Sequence, residues 1–295
     1  METTEKYSFA DVMSVFSTIN TSLIFNVYLP ICKKTIQFRQ LTTGQEKRIA
    51  KQLLLDKDSE AFAIMPDIIQ ENCVTTGIDI KKLPIIDFFC VVLMMRLYSI
   101  DPVIKFRIPK PSPKKKSSKK EKTLDDKSLP EATLDSEGEE EIAKKQYIGA
   151  KINIQDVYNS IVENCKNFNI ENIKVENCPY EIICSIPSTE SIIRKDVLDP
   201  DNVSIVTERS KFISGVILTN MKTGEKRTIS FDQFTAEQNE ELINNLPASI
   251  IKAISTYVNR AFELLGSLNV YKIKINGEET KQILNYMSLD FFIPF

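Results

Sequence analysis

A charged segment in the middle of the chain most constrains how this sequence can fold. Residues 110–122 contain seven lysines and one acid, and residues 125–141 contain eight acids and one lysine. Such a segment has almost no apolar surface to bury, so ordering it would cost backbone entropy with little compensation. The sequence therefore predicts two folded regions, 1–108 and 146–295, joined by a disordered linker or surface insertion over 109–145.

The region before this segment combines helical and strand patterns. Apolar spacing of three to four residues predicts helices, and strict alternation of apolar and polar residues predicts the strands of a hairpin. The predicted elements are an amphipathic helix over 8–19 that begins at Ser8, a hairpin with strands near 25–29 and 36–38, a helix over 43–55 capped by Thr43 and Glu46, a helix over 60–75, and a buried helix from Ile85.

The region after the charged segment is richer in strand patterns and ends in helices. Together the two regions predict an α+β fold. The predicted elements are a strand over 147–154, a helix over 155–165, strands over 173–178 and 180–186, a hairpin of 212–219 and 227–231 that turns at Gly224, a helix capped by Thr235 and Gln238, a long helix from Pro247, a strand over 271–275, and a helical turn over 281–288.

The complete absence of histidine narrows the chemistry that this chain can perform. Without imidazole there is no Ser-His-Asp or Cys-His nucleophile system and no His-ligated zinc. Only eight glycines occur, whereas phosphate-binding loops use glycine freely. We therefore predict that the chain is not an enzyme, has no catalytic residues and binds no cofactor.

The cysteines favour buried, reduced thiols over a metal site or disulfides. No C-x-x-C pair occurs, and the start METTEKYSFA lacks the basic and apolar parts of a secretory signal. The longest apolar stretch, 85–98, is interrupted by Asp87 and Arg96, so we expect no membrane span. We predict no metal site and a cytosolic location, with free thiols at Cys32, Cys73, Cys90, Cys165, Cys178 and Cys184.

The lysine run leaves an alternative function open. Clustered positive charge is rewarded by counterion release on nucleic acid, so a nucleic-acid-binding accessory protein that uses Lys110–Lys122 is the alternative prediction. The run lacks the interleaved aromatic residues that stack on single strands, which favours a solubilising linker. A third class, a hydrolase or nuclease with an Asp/Glu metal site, lacks a spaced acidic motif at a strand end.

Several sequence stretches resemble one known family in the same order along the chain. Leu29-Pro-Ile-Cys-Lys-Lys-Thr-Ile-Gln-Phe-Arg-Gln-Leu41 is similar to a hairpin motif L-P-x-x-G-K-x-I-x-F-R-P, with Lys33 in the place of the turn glycine. The later stretches are Asn72-Cys73-Val74, Leu83-Pro-Ile-Ile-Asp87, Arg96-Leu-Tyr-Ser99 and, beyond the linker, the stretch from Ile229 to Pro247. These stretches resemble baseplate hub proteins of T-even-type contractile-tailed phages.

The resemblance implies a non-enzymatic tail protein, either a component or an assembly chaperone of the baseplate hub. It implies protein partners, namely other baseplate hub or tape-measure proteins, and no membrane or nucleic acid. It also implies a location in the host cytoplasm during assembly and in the virion baseplate. Neither the resemblance nor the composition specifies an oligomeric state.

We predict that the partner-binding surface lies on the hairpin. Alternation places Phe25, Val27, Leu29 and Phe38 inward, and the outward residues Tyr28, Gln37 and Arg39 are the predicted partner-binding residues. A guanidinium beside an aromatic ring suits a protein interface, so Arg39 is expected to lie beside Tyr28. The alternative is that Arg39 only forms an ion pair with Glu46.

Overall fold

A computed structural model describes residues 8–54, 58–109, 131–134, 147–174, 180–193, 209–220, 222–268, 270–275 and 278–283. Its mixture of helices and largely antiparallel strands confirms the α+β class. The described helices are α1 Phe9–Ser22, α2 Thr43–Leu54, α3 Asp58–Asn72, α4 Ile85–Ser99, α5 Ile154–Cys165, α6 Thr189–Ile193, α7 Ala236–Asn244, α8 Ala248–Ala253 and α9 Ser255–Ser267. The described strands are β1 Ile24–Leu29, β2 Lys34–Arg39, β3 Val103–Pro109, β4 Glu131–Leu134, β5 Tyr147–Asn153, β6 Glu171–Lys174, β7 Tyr180–Cys184, β8 Ile213–Thr219, β9 Lys226–Ser230, β10 Val270–Ile275 and β11 Glu278–Ile283.

The described strands pair into a hairpin and two larger sheets. Strands β1 and β2 form the antiparallel hairpin, and β6, β7, β8 and β9 form a four-stranded antiparallel meander. The third sheet has the order β11-β10-β4-β5-β3, in which β4 and β10 are parallel and the other pairs are antiparallel. In the meander, a Cβ at Gly215 would lie 2.5 Å from the Ile229 carbonyl oxygen, so the close approach of β8 and β9 requires glycine there.

Helix α4 runs through the core because it is apolar on all sides. Such a helix is stable only when every face is covered, and α4 contacts β1, α5 and α6. It is tied to the second half of the chain by the Ile85 N–H, which donates to the Pro187 carbonyl at 2.9 Å, and by the Thr189 N–H, which donates to the Leu83 carbonyl at 2.8 Å. Buried side chains from both sides of the charged segment form one hydrophobic cluster around it.

The segment predicted to be a linker contains a strand. β4 pairs with β5 through Thr133 and Leu134 and with β10 through Glu131 and Ala132, so a disordered linker is wrong for these four residues. The reason is that ladder hydrogen bonds join main-chain groups and need no apolar side chains. The other residues of the segment beyond β3, 110–130 and 135–146, lie outside the described residues, and the division into two separately folding regions stays a prediction.

Three local predictions are corrected by the structure. The cap of α2 is one residue earlier than predicted, because Thr42 and Gln45 bond reciprocally through backbone and side chain at 3.0 and 3.3 Å. The long helix predicted from Pro247 is two helices, α8 and α9, which meet at Ile254. The helical turn predicted over 281–288 is strand β11 up to Ile283, since the alternating residues there pair with β10, and residues 284–288 lie outside the described residues.

Other local predictions are confirmed. Ser8 caps α1 in a capping box with Asp11, and Thr235 caps α7 in a capping box with Gln238. Gly224 turns the β8–β9 hairpin with a φ of 72°, a conformation that glycine adopts without steric cost.

Candidate partner-binding site

The β1–β2 hairpin separates an inner apolar face from an outer polar face. The inner side chains are almost fully buried, which confirms the predicted alternation; they are Phe25, Val27, Leu29, Ile36 and Phe38. The side chains that share the outer face, called here the hairpin outer face, are Ile24, Asn26, Tyr28, Thr35, Gln37 and Arg39. All three predicted partner-binding residues therefore lie on one exposed face.

The tip of the hairpin is held by a buried carboxylate from α4. Asp87 is fully buried, and its two oxygens accept the Ile31 N–H at 2.8 Å and the Cys32 N–H at 2.9 Å. Burial raises the pKa of Asp87 above its ordinary value, although the two N–H donors oppose that shift. Burial and the neighbouring carboxylate also raise the pKa of the Cys32 thiol to about 12. The carboxylate thus serves as an anchor whose two oxygens already accept hydrogen bonds.

The other motif stretches of the N-terminal region also bind the hairpin. The Val74 N–H donates to the Gln37 carbonyl at 2.9 Å, next to a bridge between Cys73 and Phe38. At the base of the hairpin, the Leu41 N–H donates to the Ser99 hydroxyl at 2.8 Å. The motif stretches that are separate in sequence therefore meet at one place, where they fix the hairpin to the core.

Both edges of the hairpin are partly closed by these contacts. On the β1 edge, the Tyr158 hydroxyl accepts the Tyr28 N–H at 3.1 Å and donates to the Tyr28 carbonyl at 2.9 Å. Burial raises the pKa of Tyr158 to about 12, so the hydroxyl stays protonated and keeps both bonds. On the β2 edge, the Gln37 N–H donates to the Thr75 hydroxyl at 3.0 Å. At these positions a partner strand cannot extend the sheet, which leaves side chains as the means of contact.

The expected pairing of Arg39 with Tyr28 is wrong. In the register of the hairpin, Arg39 lies opposite Ile24 and Tyr28 lies opposite Thr35. The two positions are four residues apart along β1, about 13 Å at about 3.3 Å per residue, which is beyond the reach of a cation–π contact. The alternative ion pair between Arg39 and Glu46 is also absent, although both side chains lie within the described residues.

A comparison with known protein families assigns this chain to a family. The family described as "T4 bacteriophage base plate protein" matches residues 21–283. The chain belongs to this baseplate protein family. No curated protein and no solved structure gave a significant match. The family match spans the hairpin, the helix α4 that anchors it, and both larger sheets described above.

Helix α1 of this baseplate protein carries apolar side chains that face solvent. We call its exposed residues Phe9, Val12, Met13, Val15 and Phe16 the α1 apolar face; their exposed fractions are 81%, 40%, 49%, 58% and 56%. The apolar surface continues into Leu23 and Ile24, which are exposed at 42% and 45%. The periodic sequence pattern identified the helix but missed this surface, because a pattern tells which residues share a face and not whether another element covers it.

The side chains that line one surface depression of the baseplate protein bond to neighbouring residues. A shallow depression is lined by Asp67, Gln70 and Lys81, where Lys81 pairs with Asp67 at 2.7 Å and the Gln70 side chain bonds the backbone of residues 78 and 80. Within the described ranges, no three Cys, Asp or Glu side chains gather in a way that could hold a metal ion. The cysteines of these ranges form no disulfide, and no described helix is long and apolar enough to cross a membrane.

Two sequence features lie outside the described residues. The Lys110–Lys122 run, on which the alternative nucleic-acid function rests, belongs to the undescribed part of the chain. Cys178 does so as well.

Proposed function

We propose that the protein is a component or an assembly chaperone of the baseplate hub and acts through protein contacts without catalysis. The observation that carries the proposal is the family match over residues 21–283. The hub assignment is supported by the motif stretches of the N-terminal region, which in this chain converge on one hairpin. The absence of histidine from the whole sequence supports a role without acid–base chemistry.

The partners in this proposal are other hub or tape-measure proteins. The contact residues are Tyr28, Gln37 and Arg39 on the hairpin outer face. Arg39 is exposed on strand β2, and its planar guanidinium can bind a carboxylate of a partner through two parallel hydrogen bonds. The protein would act in the host cytoplasm during assembly, and as a hub component it would remain in the virion baseplate.

Quantitative mass spectrometry of purified virions and of isolated baseplate intermediates tests the proposal. A hub component is expected in both samples at a fixed ratio to other baseplate proteins, whereas a chaperone is expected in the intermediates and absent from virions. If the protein is absent from both samples and also fails to co-purify with any hub protein from infected cells, the proposed function is wrong. Steeply salt-dependent DNA binding by the purified protein would instead favour the nucleic-acid function.

A further inference from the structure

The α1 apolar face has the form of a docking surface. At about 100° per residue, its five residues span ~160° of the helix circumference, and all of them are at least 40% exposed. Exposed apolar patches of this kind mark interaction sites in soluble proteins. The capping box of Ser8 and Asp11 satisfies backbone N–H groups in the first turn of the helix. It also contacts β2.

The charge of α1 distinguishes a protein partner from a membrane. Helices that lie on membranes carry Lys or Arg on their polar face, which attracts anionic lipids. Between Phe9 and Ser22 there is no Lys or Arg, and Asp11 is the one charged residue. A surface without cations and with one acid is repelled by anionic lipid, so an uncharged protein surface is the better match.

The area and the width of the α1 apolar face favour a groove on a partner over a second copy of α1 as the surface that covers it. The helix has 14 residues, so two copies side by side would bury a strip about 21 Å long and about 10 Å wide on each, on the order of 400 Å² in total. Stable protein interfaces bury about 1,200 Å² or more. A helix-to-helix seam is also narrower than a ~160° arc, whereas a concave groove can cover the whole arc.

We propose that the α1 apolar face seats in an apolar, uncharged groove on another protein of the baseplate. The proposal rests on the proposed function, since it takes the partner from the baseplate. Phe9 and Phe16 are the anchors, because large aromatic side chains supply most of the binding energy in such grooves. α1 lies almost entirely before residue 21, where the family match begins.

The test uses the full chain and the other baseplate proteins of the same phage, each purified and measured singly by isothermal titration calorimetry. The variant is the double substitution Phe9→Gln and Phe16→Gln, which removes both anchors and keeps a good helix former at each position. The matched control is Leu242→Gln, which changes an apolar residue of α7 that is 39% exposed. We expect one baseplate protein to bind the wild type, the double variant to bind it at least about 100-fold more weakly, and the control to bind it as the wild type does.

Four results would overturn the proposal. The double variant binding that protein as tightly as the wild type would show that the interface lies elsewhere, while the proposed function would stand. Binding to none of the baseplate proteins would overturn the docking proposal, and the proposed function would fall with it only if the protein were also absent from virions and baseplate intermediates and failed to co-purify with any hub protein. Sedimentation that reveals a dimer lost in the double variant would assign the face to a second copy. Flotation of the wild type, but not of the variant, with vesicles of equal phosphatidylcholine and phosphatidylglycerol would assign it to a membrane.

Discussion

The hairpin and helix α1 are neighbours in sequence but differ in how their apolar residues are used. Every inward side chain of the hairpin is at most 5% exposed, whereas those of the α1 apolar face are exposed by 40% or more. The backbone of the hairpin is fixed by side chains from α4 and α5. The hairpin is therefore held by its own chain, and α1 presents a surface that the described part of the chain leaves exposed.

This difference in burial indicates which structural role the family-like motif stretches have. The motif stretches at Leu29–Leu41, Asn72–Val74, Leu83–Asp87 and Arg96–Ser99 supply the hydrogen bonds that hold the hairpin in place. They thus describe how the hairpin is fixed to the core, whereas the α1 apolar face lies before all of them in the sequence. Substitutions in the two regions should accordingly separate stability from binding.

Asp87→Asn is expected to have the largest effect. The amide can accept only one of the two N–H groups of Ile31 and Cys32, which leaves the other facing an NH₂ group in the core. We expect the free energy of unfolding to fall by about 3 kcal/mol, as measured by urea denaturation. The control Asp67→Asn, which removes an exposed carboxylate, and the Phe9/Phe16 double variant should each change it by no more than about 0.5 kcal/mol. If all three variants lose the same free energy of unfolding, Asp87 does not anchor the hairpin more strongly than exposed residues do.

Tyr158→Phe should have the next largest effect. The substitution removes the hydroxyl that bonds both main-chain groups of Tyr28. We expect the free energy of unfolding to fall by about 1–2 kcal/mol, and amide exchange at Tyr28 to become faster. Tyr98→Phe is the control, because its ring also packs on the hairpin, against Phe25, but is 44% exposed. If the two variants are equally stable, the Tyr158 hydroxyl does not hold the β1 edge.

Asp87 should also give the hairpin anchor a pH dependence. Its pKa is raised in the folded state, so the folded protein binds this proton more readily than the unfolded chain does. The contribution of Asp87 to stability is therefore highest below pH 3.8 and declines as pH rises through the raised pKa. The stability of the wild type relative to Asp87→Asn should decline over that acidic range. A difference between the two proteins that rises or stays level with pH would contradict this sign.

Lys33→Gly should stabilise the hairpin by about 0.5–1 kcal/mol. Lys33 has a φ of 54°, in the left-handed region where a side chain is strained and glycine is not. Its side chain also donates to Asn169, an exposed contact whose loss should be small. The same change at the adjacent Lys34, in β2, should be destabilising. Thermal unfolding of the two variants measures the contrast, and a destabilised Lys33→Gly would indicate that the contact with Asn169 outweighs the strain.

Arg39→Glu should have the smallest effect on stability and a large effect on binding. Arg39 is exposed and pairs across the hairpin with Ile24, so we expect the free energy of unfolding to change by less than about 0.5 kcal/mol. Co-purification with hub components should nevertheless be lost. The comparison variant Arg39→Gln removes the charge without reversing it and should retain part of the binding. Co-purification of Arg39→Glu at the wild-type yield would make the hairpin outer face a scaffold only.

Much of the fold was accessible from the sequence because local patterns agree with it. Ser8, Thr235 and Gly224 stand where the chain itself dictates caps and turns, and the alternation in the hairpin follows from the strand period of two. The register that separates Arg39 from Tyr28 was not accessible, because it depends on which residues form the turn. Strand β4 was missed for a different reason, since its backbone is ordered by β5 and β10, which lie far away in sequence.

The candidate site was predictable only where it depends on the alternation of residues along a strand. Alternation placed Tyr28, Gln37 and Arg39 on the outer face, but it carried no information on the edge contacts from Tyr158 and Thr75. The exposure of α1 depends on the rest of the fold, and the elements that the structure describes leave Phe9 and Phe16 exposed. Sequence periodicity cannot distinguish a helix that packs on its own core from one that packs on another protein.

The place of β4 between β5 and β10 determines when the five-stranded sheet is completed. Lys272 of β10 pairs with Glu131 of β4. During synthesis, β4 therefore leaves the ribosome well before the strand that pairs with one of its edges has been made. At roughly 5–20 residues per second, about 140 residues take roughly 7–28 s. Because α1 emerges before β4, the docking helix is available while the sheet is still open. Capture by a partner and completion of the fold can therefore overlap in time on the growing chain.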